Sequence, residues 1–228
     1  MGIKLVVFDI AGTTLKDNDE VSKTFQSALK SHGFDIALKL INPLMGYEKK
    51  LAIRKLLAIC GATDQDITHE LIDGIHKQFV DDMIRYYQFG EGVVSLPNVE
   101  DTFKELHAQG IIVGVNTGFS RAIADAVIAR LGWLEHGLVD YVIGSDEVEL
   151  GRPHPFMIEK LMENSQVSAS DEVVKVGDTE VDVREGQNSG CRFVIGVTTG
   201  AFTREELEPF GPTHIIDDIA EVLTIINQ

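Results

Sequence analysis

Five short apolar runs, each ending in a cluster of small or polar residues, constrain this chain more than any other feature of its sequence. They occupy residues 3–8, 111–115, 139–143, 173–176 and 193–197. All are rich in β-branched side chains, and each is interrupted by a charge at most once. Such runs fit strands buried on both faces, as in a parallel sheet covered by helices. Between them lie segments of helical periodicity. Residues 99–109 close on Gly110 and residues 120–131 on Gly132, both suitable helix C-termini, and residues 155–164 follow Pro153. This alternation from residue 93 onward predicts a doubly wound, mainly parallel α/β sheet. In such sheets ligands bind at the carboxyl ends of the strands, where the polar residues gather here.

Residues 16–92 break the alternation. Segments 21–32, 49–59 and 67–87 carry apolar residues at spacings of three and four, and no strand run appears among them. The pattern predicts an α-helical domain over 16–92, inserted after the first strand of a core domain made of 1–15 and 93–228. Hinges are expected at residues 14–17 and at Gly90-Glu91-Gly92.

Charge narrows the range of partners. With 36 acidic against 20 basic residues the net charge is −16, which disfavours nucleic acid and anionic membrane surfaces. Cys60 and Cys191 form neither a disulfide framework nor a zinc pattern, and both are expected to be reduced and buried. The first apolar run is too short for the core of a signal peptide. Val6 breaks the myristoylation pattern, and no stretch approaches a membrane span. A cytoplasmic location is the expectation.

Four strand-end motifs carry the candidate chemistry. Asp9 opens Asp9-Ile10-Ala11-Gly12-Thr13-Thr14, where a carboxylate sits among backbone N–H groups able to hold phosphoryl oxygens. A carboxylate can itself attack phosphorus. Asp178 and Asp182 lie four apart in Gly177-Asp178-Thr179-Glu180-Val181-Asp182, a donor set suited to Mg²⁺. Asn116-Thr117-Gly118 offers a hydroxyl and N–H groups. Arg152, in Gly151-Arg152-Pro153, is a permanent cation able to bridge a nucleophile and a phosphate. Taken singly, each also has an ordinary reading as a turn, a cap or a solvated charge.

Together, in this order and with helices inserted after the first, the four motifs resemble the haloacid dehalogenase superfamily over nearly the whole chain. The resemblance implies a Mg²⁺-dependent hydrolase that forms an aspartyl-phosphate on Asp9. It assigns phosphate binding to Gly12, Thr13, Thr117, Gly118 and Arg152, and metal ligation to Asp9, Asp178 and the carbonyl of Ala11. Asp182 arranges the metal's surroundings.

Ala11 then selects a branch. Phosphatases of this superfamily carry an acid two residues after the nucleophile, and a methyl group transfers no proton. The phosphonatase branch has Ala there. Met45-Gly46-Tyr47-Glu48-Lys49 resembles its Met-Gly-x-x-Lys element, which places Met45 and Gly46 at the substrate and makes Lys49 an imine-forming lysine. On composition alone Lys49, beside Lys50, is a solvated helix residue. Three positions depart from the branch: Ala52 stands for a histidine, Phe119 for a tyrosine and Asp19 for a cysteine. The leading expectation is cleavage of phosphonoacetaldehyde or a related small phosphonate. A phosphatase for a small phosphate monoester is the alternative, and a weakly active phospho-metabolite sensor is a third reading from another class. The branch pairs through its caps, and Phe79, Met83, Tyr86 and Tyr87 could make a homodimer contact or face the cap's own core.

Overall fold

The computed structural model describes residues 2–228. Six strands form one parallel sheet in the order β3-β2-β1-β4-β5-β6: β1 (Leu5–Phe8), β2 (Ile112–Thr117), β3 (Tyr141–Gly144), β4 (Val173–Gly177), β5 (Phe193–Val197) and β6 (His214–Ile216). The sheet is doubly wound and α/β, as the alternating runs predict. The sixth strand was not expected. With three residues and a histidine at its start, it carries too little apolar signal to be distinguished from loop.

β1 is buried throughout, and its alternate residues explain why. Val6 and Phe8 join a cluster on one face of the sheet, where Phe8 packs on Phe103 at 5.1 Å between ring centroids. Leu5 and Val7 join Met157, Ile158 and Leu161 on the other. A strand covered on both sides has no polar face, so its sequence does not alternate.

Register positions the chemistry. Phe8 is level with Val115 of β2 and Val176 of β4. One residue onward lie Asp9, Asn116 and Gly177, and one further are Thr117 and Asp178. The reversal of strand order falls between β1 and β4, so these ends meet at the crevice expected of such sheets.

Between β1 and α5 (Val99–Ala108) the chain is helical: α1 (Glu20–Ser31), α2 (Leu38–Ile41), α3 (Lys49–Ile59) and α4 (His69–Phe89). α2 was not foreseen, since four residues span barely one turn. Glu48 caps α3 by accepting the N–H groups of Lys50 at 2.8 Å and Leu51 at 2.7 Å, and Thr68 caps α4 through the N–H of Leu71 at 3.2 Å. Phe25 of α1 and Phe79 of α4 stack at 4.2 Å. The two connections to the sheet run side by side: Lys16 N–H donates to Val94 O at 3.1 Å, and Leu96 N–H to Thr14 O at 2.9 Å.

The remaining helices of the sheet domain include α6 (Arg121–Leu131), α7 (Phe156–Ser165), α8 (Glu180–Asn188), α9 (Arg204–Leu207) and α10 (Val222–Ile225). α6 ends on Gly132 at φ 69°, the left-handed C-terminal conformation its position predicts. One expectation is corrected. Cys60 and Cys191 are free, but each is half-buried, because Cys60 ends α3 at the surface and Cys191 follows the turn after α8. Phe79, Met83 and Tyr87 are buried within the chain, which leaves only Tyr86 of that group part-exposed on α4. Among the described residues no helix is long and apolar enough to cross a membrane.

Candidate active site

Asp9 leaves β1 into a tight turn. The Ile10 carbonyl accepts the N–H groups of Thr14 at 2.9 Å and Leu15 at 2.8 Å, while those of Ile10 and Ala11 have no acceptor among the described residues. Those two donors follow Asp9 directly in the chain, and the Asp9 carboxylate is buried. Arg152 Nη1 donates to Asp9 Oδ1 at 2.6 Å. One carboxylate oxygen is thus held, and the other is left for chemistry.

Behind Asp9 lies a fully buried charge network. Arg152 donates through Nε to Glu185 at 3.0 Å and through Nη2 to the Asn116 carbonyl at 2.7 Å and side chain at 2.5 Å. Lys175, from the middle of β4, donates to Asn116 Oδ1 at 2.6 Å and lies 3.1 Å from both Asp182 and Glu185. Asp182 Oδ1 is 2.9 Å from Arg152, an ion pair without a well-aligned hydrogen bond, and its Oδ2 accepts the Thr179 hydroxyl at 2.5 Å. Burial works to raise the Asp182 carboxyl, but Arg152 and Lys175 outweigh it and hold the group below its ordinary value.

Asp178 is placed differently. It accepts the Thr13 hydroxyl at 3.0 Å and the Ala201 N–H at 2.7 Å, with no cation beside it. Burial, then the charges of Asp9 and Asp182, push its carboxyl well above the usual range. Burial also raises Asp9, against the pull of Arg152.

These residues fit a divalent cation. Carboxylate oxygens of Asp9, Asp178 and Asp182 lie within 4.8 Å of one another, all buried. Four buried acids, Asp9, Asp178, Asp182 and Glu185, face only two cations in the network, Arg152 and Lys175. The excess of two negative charges matches one Mg²⁺, and hard oxygen donors are what Mg²⁺ takes. The turn packs closely on this carboxylate: a Cβ on Gly12 would come 2.6 Å from Asp178 Oδ2 and 2.8 Å from Gly200 Cα.

A cavity of about 120 Å³ opens over Asp9. Its floor is Asp9, Ala11, Gly12, Thr117, Gly118 and Asp178. Its roof comes from the inserted helices: Asp17, Asp19, Ser22, Asn42, Met45 and Lys49, with Gly46 between the two. The Met45–Lys49 loop sits directly on the sheet domain. A Cβ on Gly118 would overlap the carbonyls of Gly46 and Tyr47, and one on Gly46 would overlap Thr179 and Val181. Gly46 also needs its φ of +82°.

Lys49 is 3 % exposed, which overturns its reading as a solvated helix residue. Its amine lies 4.8 Å from the ring centroid of Phe119 and 5.6 Å from that of Phe25. Burial lowers its pKa to about 8, although Asp9 pulls the other way. Phe119 is buried and touches Phe79 at 6.4 Å and Tyr87 at 6.0 Å, so it serves as a packing joint between the two parts.

The fold therefore gathers Asp9, Ala11, Gly12, Met45, Gly46, Lys49, Thr117, Gly118 and Asp178 around one cavity, with Arg152 and Asp182 just behind it. Thr13 is the exception. Its hydroxyl is spent on Asp178 and its N–H reaches the Ile10 carbonyl at 3.3 Å, so it supports the carboxylate rather than lining the cavity. Thr117 Oγ1 accepts the Phe119 N–H at 3.2 Å, the ordinary turn contact, and keeps its own proton free to donate. Sequence reasoning missed Lys175 and Glu185. A lysine inside a buried run was the available signal for the first, and the i, i+3 spacing from Asp182 for the second.

Comparison with known proteins places this arrangement. The haloacid dehalogenase-like hydrolase family model matches residues 6–196. A phosphoglycolate phosphatase of Vibrio vulnificus (strain CMCP6) is 28 % identical over 98 % of this chain and 96 % of its own length. A phosphonoacetaldehyde hydrolase of Bacillus cereus (strain G9842) is also 28 % identical, over 97 % and 87 %. A crystal structure of a phosphonoacetaldehyde hydrolase-like protein from Oleispira antarctica superposes with a TM-score of 0.86 at 24 % identity, covering all of this chain and 92 % of that one.

Proposed function

This chain belongs to the haloacid dehalogenase-like hydrolases, and we propose that within them it is a phosphonatase-like enzyme acting on phosphonoacetaldehyde or a related small aldehyde phosphonate. One observation carries the proposal. Lys49 is buried in the cavity over the nucleophile, with its amine held down to about 8. An amine attacks a carbonyl only when neutral, and desolvation in an apolar pocket is one established route to that state.

The steps follow from the placement of the side chains. The Lys49 amine adds to the substrate aldehyde and water leaves, giving a cationic imine. Asp9, with one oxygen held by Arg152, attacks phosphorus through the other. The carbon–phosphorus bond breaks, and its electron pair passes into the imine to give an enamine. No alkoxide forms, so this step needs no acid at position 11. Protonation at carbon and hydrolysis of the imine release the aldehyde and regenerate Lys49. Water then hydrolyses the aspartyl-phosphate, and the net reaction is phosphonate plus water to aldehyde plus phosphate. Thr117, Gly118, Gly12 and the free N–H groups of the Asp9 turn hold the phosphoryl oxygens, with Thr13 behind them. A Mg²⁺ on Asp9, Asp178 and the Ala11 carbonyl would screen the approach of one anion to another.

Borohydride trapping with phosphonoacetaldehyde, followed by peptide mapping, tests this reading. It predicts one adduct, on Lys49, and phosphate release without borohydride; the absence of both refutes it. The monoester phosphatase is supported by the Vibrio relative and by Asp17, an acid in the same cavity whose carboxyl burial raises. Efficient turnover of a phosphate monoester that survives Lys49→Met would favour it. The paired charges around Asp9 argue against the sensor reading, which needs no such network.

A further inference from the structure

The roof of the cavity has a charge pattern of its own. Asp17 and Asp19 both line it, and among the described residues Lys49 is its one cation. The two acids are held differently. Asp17 Oδ1 accepts the N–H of Glu20 at 2.8 Å and of Val21 at 3.4 Å, so it does the capping of α1. Asp19 occupies the N-cap position itself, yet its side chain makes no capping bond. Its backbone is left-handed, at φ 64° and ψ 17°, a conformation that Asp and Asn tolerate better than most side chains. Among the described residues no ion pair or hydrogen bond holds its carboxylate. Asp19 is therefore an unpaired, exposed acid at the lining of the cavity.

Lys49 must shed its charge to attack a carbonyl. Even when charged it offsets only one of the two acids of the roof, and once neutral it offsets neither. A substrate bound with its phosphorus at Asp9 has its other end near these groups, since they line the same cavity. An anionic tail would bring a third negative charge against two, which is selection by repulsion.

We propose that Asp17 and Asp19 are specificity-determining residues that exclude substrates with an anionic end remote from phosphorus and admit neutral or cationic ends of the same size. This rests on the assignment of the cavity to the substrate, with phosphorus at Asp9, and not on which bond is cleaved. A carboxylate-ended compound of the phosphoglycolate type falls in the excluded class. An aldehyde or its hydrate falls in the admitted one.

Calorimetric titration of the full chain with Mg²⁺ tests it, using three phosphonates of equal length: 2-aminoethylphosphonate, 2-hydroxyethylphosphonate and phosphonoacetate. Phosphonoacetate should bind at least ~10-fold more weakly than the hydroxyethyl compound. In Asp17→Asn/Asp19→Asn the ratio should shrink to within ~3-fold, with binding of inorganic phosphate unchanged. Asn keeps the acceptor for the α1 N–H groups and tolerates the left-handed backbone, and Asp19→Asn alone, at an exposed position, serves if the double variant does not fold. Equal binding of all three by the wild type, or an unchanged ratio in the variant, overturns the proposal. Absence of binding by all three and by inorganic phosphate overturns it together with the assignment of the cavity. Failure of the phosphonatase reading has a different signature: no Lys49 adduct and no phosphate from the aldehyde, with the order of binding intact.

Discussion

The chain buries two lysines, one in the sheet and one in the inserted helices, and they are treated in opposite ways. Lys175 has three oxygen partners within 3.1 Å, two of them carboxylates. Among the described residues Lys49 is within hydrogen-bonding reach of none, and it lies over two aromatic rings. Both burials cost desolvation, and only the first is offset by pairing. The sheet domain therefore holds a cation that stays charged and fixes its neighbours. The inserted helices hold an amine that is pushed toward neutrality and left unattached. The first is the state of a structural residue, and the second is the state that the proposed function requires of Lys49.

Removing each lysine should sharpen that contrast. Lys49→Met is expected to abolish turnover of the aldehyde phosphonate, by more than ~10³-fold, because the imine cannot form. The same variant should be more stable than the wild type at neutral pH. Depression of the amine from 10.5 to about 8 corresponds to ~3 kcal/mol of burial cost that Met does not bear. Steady-state kinetics beside chemical denaturation reads both at once. A variant that keeps its activity would return Lys49 to an ordinary packing role.

Lys175→Met should have the opposite profile. It strands Asp182 and Glu185 in the interior, and breaking such a buried pair costs ~3–5 kcal/mol. Adding Glu185→Gln should recover part of that loss, since one of the stranded charges is then gone. Urea midpoints of the single and double variants check this. Equal stability of wild type and Lys175→Met would show that the network around Arg152 does not depend on its second cation.

This contrast was only half legible in the sequence. Asp9, Thr117 and Asp178 stand at the ends of apolar runs, so one-dimensional pattern and the rule for open sheets sufficed to bring them together. The Met45–Lys49 loop was legible by resemblance, but its burial was not, because it depends on Gly118 leaving room for the Gly46 and Tyr47 carbonyls across the domain boundary. Lys175 looked like an interruption in a strand. Its meaning comes from Asn116, Asp182 and Glu185, which reach it from other elements. Asp19 was read only as a departure from the branch's cysteine, and nothing in the sequence tells that Asp17 rather than Asp19 accepts the first N–H groups of α1. What sequence pattern missed is in each case a direction of a side chain, set by tertiary packing rather than by local propensity.

The smallest expected effect separates the two lysines by titration. In the folded protein Lys49 loses its proton near 8, whereas in the unfolded chain a lysine keeps it to about 10.4. Between those values the unfolded chain binds more protons, so stability of the wild type should rise with pH across that window. Below about 8 both states are protonated and the full cost of the buried charge is present. The advantage of Lys49→Met should therefore be constant up to about pH 8 and decline above it, toward zero by about pH 10.5. Turnover should follow the same group in the other sense. Below about 8 it should fall roughly tenfold per pH unit as the neutral amine becomes scarce. Paired denaturation curves for wild type and variant from pH 7 to 10.5, with the pH–rate profile of the wild type, make the measurement. A stability difference that is flat across the window would mean that the Lys49 amine titrates alike in both states, and the distinction between the two lysines would then be one of partners alone.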